Sequence, residues 1–219
     1  LYKRRNSDLT KNLTTITAIL LFYVIPLIAK PELLVHFKIV FLIVACAALL
    51  YTQPPLSLQE VNETKNADKN TVYAIILACS LPQLTAVIEW AYFREQPEHI
   101  IPTAIGIAML VSGSAFRIWS IQTLGPFFSA TVQIKEQHRI IKTGPYSIVR
   151  HPSYLGAYIA MAGGTIFLQS IFGFIIAMVA MGVAYKLRID AEEETLTKTF
   201  GDDYLAYKMQ TSKMIPFVW

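Results

Sequence analysis

Charged residues and cysteines are both scarce in this chain of 219 residues. Asp, Glu, Lys and Arg make up 16% of it, whereas an ordinary soluble domain has about 25%. Cys46 and Cys79 each lie alone in an apolar stretch, with no CxxC pair, so the sequence predicts neither a disulfide nor a metal site. No small-residue cleavage pattern follows the first apolar run, and we therefore interpret it as a membrane segment rather than a signal peptide.

Apolar residues dominate the chain instead, at 54% of all positions. They group into six segments near or above the length of about 20 residues that a helix needs to cross a bilayer. The segments are 13–29, 33–51, 71–93, 102–124, 152–169 and 172–199. The sequence thus predicts an all-α protein, a polytopic integral membrane bundle of about six hydrophobic helical segments. A polar linker over 53–70 separates the first two segments from the others.

Small residues recur at four-residue spacing in the last two segments. Gly156, Ala160 and Gly164 follow this spacing in the fifth segment, and Gly173 and Ala177 in the sixth. Small residues at such a spacing let helix backbones approach closely in lipid. We therefore expect the last two segments to form a tight helical hairpin.

The basic residues predict the orientation of the bundle. The net charge is +4, but most Lys and Arg residues flank apolar segments, where they set membrane topology. We therefore exclude nucleic acid as a partner. The distribution predicts a multi-pass protein with an even number of crossings and with both termini on the cytoplasmic face. The polar stretch before Pro152 and the end of the sixth segment would lie on that same face.

Three charged residues in or beside apolar segments are candidates for a functional site. Arg117 lies inside the fourth segment, where a guanidinium is costly unless it reaches the interface or has a partner. It could either snorkel to water or bind an anion within the bundle. Arg188 and Glu192 are four residues apart and share one helical face, which fits either a solvated helix end or a site.

The stretch 144–156, Gly-Pro-Tyr-Ser-Ile-Val-Arg-His-Pro-Ser-Tyr-Leu-Gly, concentrates unusual residues at a boundary from polar to apolar sequence. A basic interfacial anchor followed by a helix start explains Arg150 and Pro152, but it explains Tyr146, His151 and Tyr154 poorly. The start of a helix presents unpaired N–H groups and a partial positive charge, which suit the carboxylate of a small cofactor.

Several short motifs follow one another in the C-terminal half. They are Gly144-x-Tyr146, Arg150-His151-Pro152-Ser153-Tyr154-x-Gly156, Arg188-x-x-x-Glu192-Glu193 and Phe200-Gly201-x-x-Tyr204-x-x-Tyr207. In this order and at these spacings the chain resembles the isoprenylcysteine carboxyl methyltransferases from about Gly113 to its end. The first three segments show no specific match. The resemblance implies two parts, residues 1–112 with the N-terminal transmembrane helices and residues 113–219 with the methyltransferase core.

The resemblance also implies S-adenosylmethionine as the cofactor, bound at the cytoplasmic face. The implied cofactor contacts are Gln133, His138, Arg139, Ile140, Ile141, Tyr146, His151, Pro152, Ser153, Tyr154 and Glu192. Arg188 would orient the carboxylate of the acceptor and Arg117 would lie near the reacting groups, so that both would bind substrate. These two arginines and Glu192 are the implied catalytic residues. The implied acceptor is a lipophilic carboxylate in the membrane lipid, such as a C-terminal prenylcysteine.

Methyl transfer to such an acceptor needs no general base, because a free α-carboxyl group has a pKa of about 3.3–3.7 and is ionised at neutral pH. Three alternatives stay open. A phospholipid N-methyltransferase would use the same cofactor but has an amine acceptor, which needs no arginine. An NADPH-dependent membrane sterol or steroid reductase would carry a similar His-Pro-x-Tyr arrangement. A non-enzymatic membrane carrier would have polar residues spread across several helices, whereas here they concentrate at one face.

Overall fold

The computed structural model describes residues 2–52, 54, 61–62, 64, 68–94, 97–134 and 137–215, with side chains from residue 9 onward. These residues are mostly helical, as predicted. The α-helices are α1 Tyr2–Ile19, α2 Phe37–Thr52, α3 Thr71–Ile88, α4 Ile100–Leu124, α5 Pro152–Phe167, α6 Ile171–Ile176, α7 Gly182–Phe200 and α8 Asp202–Gln210. Short 3-10 turns occupy Ile25–Leu27, Pro31–Val35, Gly125–Phe127 and Gly144–Ser147.

Three π-helical turns extend the helices. Leu20–Val24 continues α1, Glu89–Phe93 continues α3, and Ala177–Met181 joins α6 to α7. With these turns included, four helical stretches of the described part of the chain are long and apolar enough to cross a membrane: Leu9–Leu27, Thr71–Phe93, Ile100–Phe127 and Ile171–Phe200. The protein is thus a multi-pass membrane protein, as the sequence predicted.

The other two predicted segments are helical but shorter. Helices α2 and α5 have 16 residues each. At a rise of 1.5 Å per residue such a helix is about 24 Å long, which is less than the hydrocarbon thickness of about 30 Å. Length alone therefore supports four spans among the described residues, and the even number of crossings stays a prediction.

The polar linker predicted over 53–70 lies mostly outside the described residues. Two of its described members, Val61 and Asp68, are buried. Oδ2 of Asp68 accepts a hydrogen bond of 3.0 Å from the N–H of Val72. This contact satisfies one of the N–H groups that the start of α3 leaves without a partner in its own helix.

Helices α4 and α5 pack backbone against backbone. A Cβ atom at Gly113 would lie 2.5 Å from the nitrogen of Ala160, and one at Gly156 would lie 2.7 Å from the nitrogen of Arg117. The predicted hairpin of the last two segments is present, since residues 168–170 connect α5 directly to α6. The small residues at the start of α5, however, make their close contact with α4 rather than with the sixth segment.

This packing predicts opposite effects for two glycine substitutions. Gly156→Ala would place a methyl group 2.7 Å from backbone atoms of Gly113 and Arg117, so we expect it to lower the free energy of unfolding by about 1–3 kcal/mol. At Gly182, in contrast, the nearest heavy atom is Tyr158 Oη at 3.8 Å. Gly182→Ala is therefore expected to be neutral or to stabilise the helix by up to about 1 kcal/mol.

Thermal unfolding of both variants in detergent checks this pair of predictions. If Gly156→Ala were as stable as the wild-type protein, the two helices could not be in the backbone contact described above.

Among the described residues, two clusters of buried side chains pack inside the bundle. The first joins the end of α1 to α2, α3 and the C-terminal end of α5, and it includes Tyr23, Leu42, Val87, Trp90 and Phe167. The second joins α3 to α7 and includes Ala78, Met181, Tyr185, Ile189 and Met214. Tyr154 and Tyr158 of α5 pack against the second cluster, which therefore supports the first turns of α5.

Candidate active site at the start of α5

A cavity opens where α4 ends and α5 begins. Its wall combines the loop after α4, the turn at Tyr146, the first turn of α5, and side chains from α7 and α8. Every residue that the family resemblance implied as a cofactor contact lines it, except Pro152: Gln133, His138, Arg139, Ile140, Ile141, Tyr146, His151, Ser153, Tyr154 and Glu192. Residues that lie far apart in the sequence are thus brought to one place.

Aromatic rings form much of the wall. His138 stacks on Phe127, with centroids 4.9 Å apart and an interplanar angle of 24°. On the other side His151 stacks on Tyr154 with centroids 5.7 Å apart, and Tyr154 stacks on Tyr185 at 5.0 Å. Stacked rings offer flat, partly apolar faces, which suit a ligand with a planar ring of its own.

The imidazole of His151 lies between two neighbouring carboxylates of α7. Its Nδ1 is 3.4 Å from Glu192 Oε2, and its Nε2 is 3.3 Å from Glu193 Oε1. Burial alone would lower the pKa of His151, but hydrogen bonds and negative charge from Glu192 and Glu193 outweigh burial and raise this pKa above its ordinary value. A carboxylate at each nitrogen favours the doubly protonated imidazole, in which both nitrogens donate. His151 therefore links α5 to α7 rather than serving as a free base.

The raised pKa of His151 predicts how stability depends on pH. The favourable contacts of the charged imidazole are fully present below its ordinary pKa of about 6.5, and they are lost as the pH rises through the higher pKa of the folded state. The apparent melting temperature should therefore fall as the pH increases above about 6.5.

His151→Gln should flatten this pH dependence, because it removes the titrating group. His99→Gln, at an exposed position at the start of α4, is the matched control and should keep the wild-type profile. An unchanged profile for His151→Gln would contradict the assignment of a charged His151.

Arg150, which also lines the cavity, forms a buried ion pair with Glu193. Nε of Arg150 is 2.8 Å from Glu193 Oε1, and the two side chains are 6% and 5% exposed. Lys208 Nζ adds a contact of 3.1 Å to Glu193 Oε2. The guanidinium of Arg150 also donates to the carbonyl groups of Lys208 and Thr211. The interpretation of Arg150 as an interfacial anchor is therefore wrong, because its side chain joins α7 to the end of α8.

The segment after α8 also supports the turn that precedes α5. The N–H of Arg150 donates to the carbonyl of Ser212 at 2.9 Å, and the N–H of His151 donates to that of Lys213 at 3.0 Å. Tyr207 Oη donates to the carbonyl of Tyr146 at 2.6 Å. Residues of α8 and of the segment after it thus hold in place the backbone of Tyr146, Arg150 and His151, whose side chains line the cavity.

Arg117 lies beneath the first turn of α5 and not in the lining of the cavity. Its Nη1 donates to the carbonyl of Ser153 at 3.0 Å, so the side chain points toward α5. Burial raises the pKa of Tyr146, as does the charge of Glu192, and the positive charge of Arg117 partly offsets this rise. Arg117 thus lies within electrostatic reach of the cavity, and its guanidinium has a partner inside the bundle.

Arg188 is fully enclosed, with 1% of its side chain exposed. Its Nε donates to Tyr154 Oη at 3.1 Å, and its Nη2 donates to the carbonyl of Ala130 at 2.9 Å. Tyr154 Oη in turn donates to Glu192 Oε2 at 3.1 Å. Arg188 therefore touches the cavity wall through Tyr154 rather than directly. A solvated helix end, which the sequence left open, is excluded by this burial.

The partner that the sequence did not reveal is Asp68. Its Oδ1 forms an ion pair with Nη1 of Arg188, and its side chain is 2% exposed. Nη1 also donates to Thr71 Oγ1 at 3.2 Å. The sequence carries only a weak signal for this role, an acidic residue shortly before an apolar helix, and that pattern is typical of an ordinary helix start.

Comparison with known proteins points to one family. The sequence profile of the isoprenylcysteine carboxyl methyltransferase (ICMT) family matches residues 105–198. Protein-S-isoprenylcysteine O-methyltransferase A of Arabidopsis thaliana is 30% identical over 148 residues, which cover 67% of this chain and 74% of that protein. Methyltransferase B of the same plant is 29% identical over 160 residues, covering 69% and 81%. The Saccharomyces cerevisiae enzyme is 32% identical over 118 residues, covering 53% and 49%.

A solved structure shares the fold. It is described as the eukaryotic intramembrane Ras methyltransferase ICMT, and it superposes with a TM-score of 0.57 at 22% identity over 95% of this chain and 75% of that chain. At this identity the likeness concerns the fold alone. The helical membrane bundle, the ordered motifs and the plant relatives agree with one another, and the chain belongs to the isoprenylcysteine carboxyl methyltransferase family.

Proposed function

We propose that this protein transfers a methyl group from S-adenosylmethionine to the carboxylate of a lipophilic acceptor, such as a C-terminal prenylcysteine. The observation that carries the proposal is the cavity at the start of α5, whose lining contains the residues that match the cofactor positions of the family. The names of the relatives support the acceptor, since they are protein-S-isoprenylcysteine O-methyltransferases.

The chemistry of the cavity fits this cofactor. S-adenosylmethionine supplies a methyl group on a positively charged sulfonium. The stacked rings of Phe127, His138 and Tyr154 suit a purine ring. The carboxylate of Glu192, which lines the cavity, suits a positive charge. The side-chain amide of Gln133, which lines the cavity, would form hydrogen bonds to polar groups of the cofactor.

The acceptor needs alignment more than it needs proton transfer. Its carboxylate is already ionised, so the protein has to position it and keep water away, and good alignment is worth several kcal/mol in such reactions, of the order of 7–11. We assign the positioning of the acceptor to Arg117, whose planar guanidinium matches a carboxylate. It lies in a membrane helix beneath the cavity, and an acceptor that enters from the bilayer would meet it there.

Arg188 would contribute differently from what the family resemblance implied. Its Nε, Nη1 and Nη2 already have partners in Tyr154, Asp68 and Ala130. We therefore assign Arg188 to positioning the cavity wall. Glu192 would meet the cofactor itself, because it lines the cavity and accepts from Tyr154.

We further propose that the cavity and both termini face the cytoplasm. The excess of Lys and Arg in the segments on that side supports this orientation, as does the polarity of the cofactor, which is supplied from the cytosol. A site at one end of a helix bundle can take a polar donor from water and a lipid acceptor from the membrane.

Among the alternatives, a phospholipid N-methyltransferase is the closest. Its amine acceptor gains nothing from a guanidinium, and the position of Arg117 beneath the cavity therefore favours a carboxylate. Membership in a methyltransferase family speaks against the reductase and the carrier.

Arg117→Gln tests the assignment of the acceptor. We expect it to lower kcat/KM for a prenylcysteine by about 100-fold, which corresponds to about 2.7 kcal/mol, while the Kd for S-adenosylmethionine changes little. Arg94→Gln, at the other end of the bundle, is the control. Equal losses of donor and acceptor binding, or normal turnover, would remove Arg117 from this role.

A further inference from the structure

Asp68 connects the N-terminal helices to the candidate active site. It precedes α3, yet its carboxylate is buried against Arg188 of α7. Ion pairs with both partners this deeply buried persist only where further hydrogen bonds satisfy the carboxylate and the guanidinium. The contacts of the two side chains therefore show which parts of the protein the pair holds together.

The Asp68–Arg188 pair forms hydrogen bonds to two backbone groups of the loop after α4. Asp68 Oδ1 accepts from the N–H of Val132 at 3.2 Å, and Arg188 Nη2 donates to the carbonyl of Ala130 at 2.9 Å. Between these points lies Thr131, and Thr131, Val132 and Gln133 all line the cavity. The carboxylate of Asp68 thus binds the N–H of Val132, and the guanidinium of Arg188 binds the carbonyl of Ala130. These two backbone groups lie on either side of Thr131, which lines the cavity.

We propose that Asp68 is a positioning residue for the methyl donor. Together with Arg188 it fixes residues 130–132 in the shape that the donor requires. The inference rests on the proposed function for the identity of that donor. It also implies that residues 113–219 do not form a complete site, because Asp68, which precedes α3, holds part of the cavity wall in place.

A rival role for the same residue would be to occupy Arg188 until an acceptor carboxylate replaces it. The backbone contacts of Asp68 disfavour this exchange. Its two carboxylate oxygens also accept from the buried N–H groups of Val72 and Val132. If Asp68 moved away, both groups would lose their partner in a buried environment, which is costly.

Asp68→Asn distinguishes the two roles. The asparagine has the same shape and keeps an oxygen for a backbone N–H, but it loses the charge that holds Arg188. Asp190→Asn is the matched control, since Asp190 lies on α7, as Arg188 does, and pairs with Lys186 and Lys213, outside the lining of the cavity.

The first readout is hydrogen–deuterium exchange of residues 128–134 in the ligand-free protein. We expect Asp68→Asn to speed exchange in this segment by about tenfold, because the loop loses its anchor, and Asp190→Asn to leave it unchanged. Unchanged exchange in Asp68→Asn overturns the proposal. This readout decides the question even if S-adenosylmethionine does not bind the wild-type protein, a result that would contradict the proposed function alone.

The second readout compares the effect of the substitution on the Kd for the methyl donor with its effect on the KM of the acceptor. Asp68→Asn should raise the Kd for S-adenosylmethionine by about tenfold with little change in the KM of the prenylcysteine. A lower acceptor KM or a faster turnover would establish the rival role. Thr71→Val removes a weaker acceptor of Arg188 and should give a smaller shift of the same sign, which keeps the test decisive if Asp68→Asn folds poorly.

Discussion

Arg188→Ala is expected to abolish methyl transfer and to lower the free energy of unfolding by about 3–5 kcal/mol, because it leaves the buried carboxylate of Asp68 without its cation. It also removes the donors to Ala130 and Tyr154, so two parts of the cavity wall lose their support. Turnover and chemical denaturation of the same detergent-purified sample measure the two effects together.

A double variant separates the loss of function from the loss of stability. Asp68→Asn combined with Arg188→Gln removes both charges, so no unpaired ion is left in the interior. We expect the double variant to recover most of the stability that Arg188→Ala loses. Its turnover should stay low, because residues 130–132 of the loop after α4 are no longer held in place. Full turnover in the double variant would remove the ion pair from the working site, and wild-type stability of Arg188→Ala would show that the pair does not form.

Replacing the adjacent residues Glu192 and Glu193 by Gln should have different effects: the first should weaken cofactor binding, and the second should lower the stability of the protein. Glu192 lines the cavity and is 27% exposed, whereas Glu193 is 5% exposed and holds Arg150, His151 and Lys208. Glu192→Gln should raise the Kd for S-adenosylmethionine by about tenfold or more with a small change in stability. Glu193→Gln should instead cost about 3–5 kcal/mol of stability.

Equilibrium binding of radiolabelled S-adenosylmethionine and thermal unfolding, made on both variants, test this contrast. Each variant serves as the control for the other, since the two have the same change in charge on neighbouring positions of α7. If Glu193→Gln lost the cofactor while remaining stable, and Glu192→Gln did not, the assignment of the two carboxylates would be reversed.

Much of the candidate site could be predicted from the sequence because its signals are local. Pro152 indicated where α5 begins, and the helix does begin there. The motif residues before and after it, from Tyr146 to Tyr154, line a single cavity with Glu192. Spacing along one helix and the start of the next are read directly from the chain. The cofactor and the cofactor contacts outside this stretch, such as Gln133 and His138, came from the family resemblance and not from the local pattern.

The contacts that the sequence did not reveal are those between distant segments. Asp68 meets Val132, 64 residues away, and Arg188, 120 residues away. Nothing in the pattern around Asp68 indicates either partner. The small residues of α5 are a similar case, because their spacing predicts a close helix contact but does not identify the partner, which is α4. Burial of Arg150 also depends on α7 and the end of α8, which the local sequence does not show.

The central claim is that the cavity serves a carboxyl methyltransferase, and transfer of a labelled methyl group tests it most directly. The purified protein in lipid nanodiscs would receive S-adenosylmethionine labelled with tritium in the methyl group, together with a prenylated cysteine that has a free α-carboxylate. We predict label in the acceptor as a base-labile methyl ester, and none in the matched α-carboxamide. Absence of transfer, or a base-stable label on lipid amines, would contradict the account.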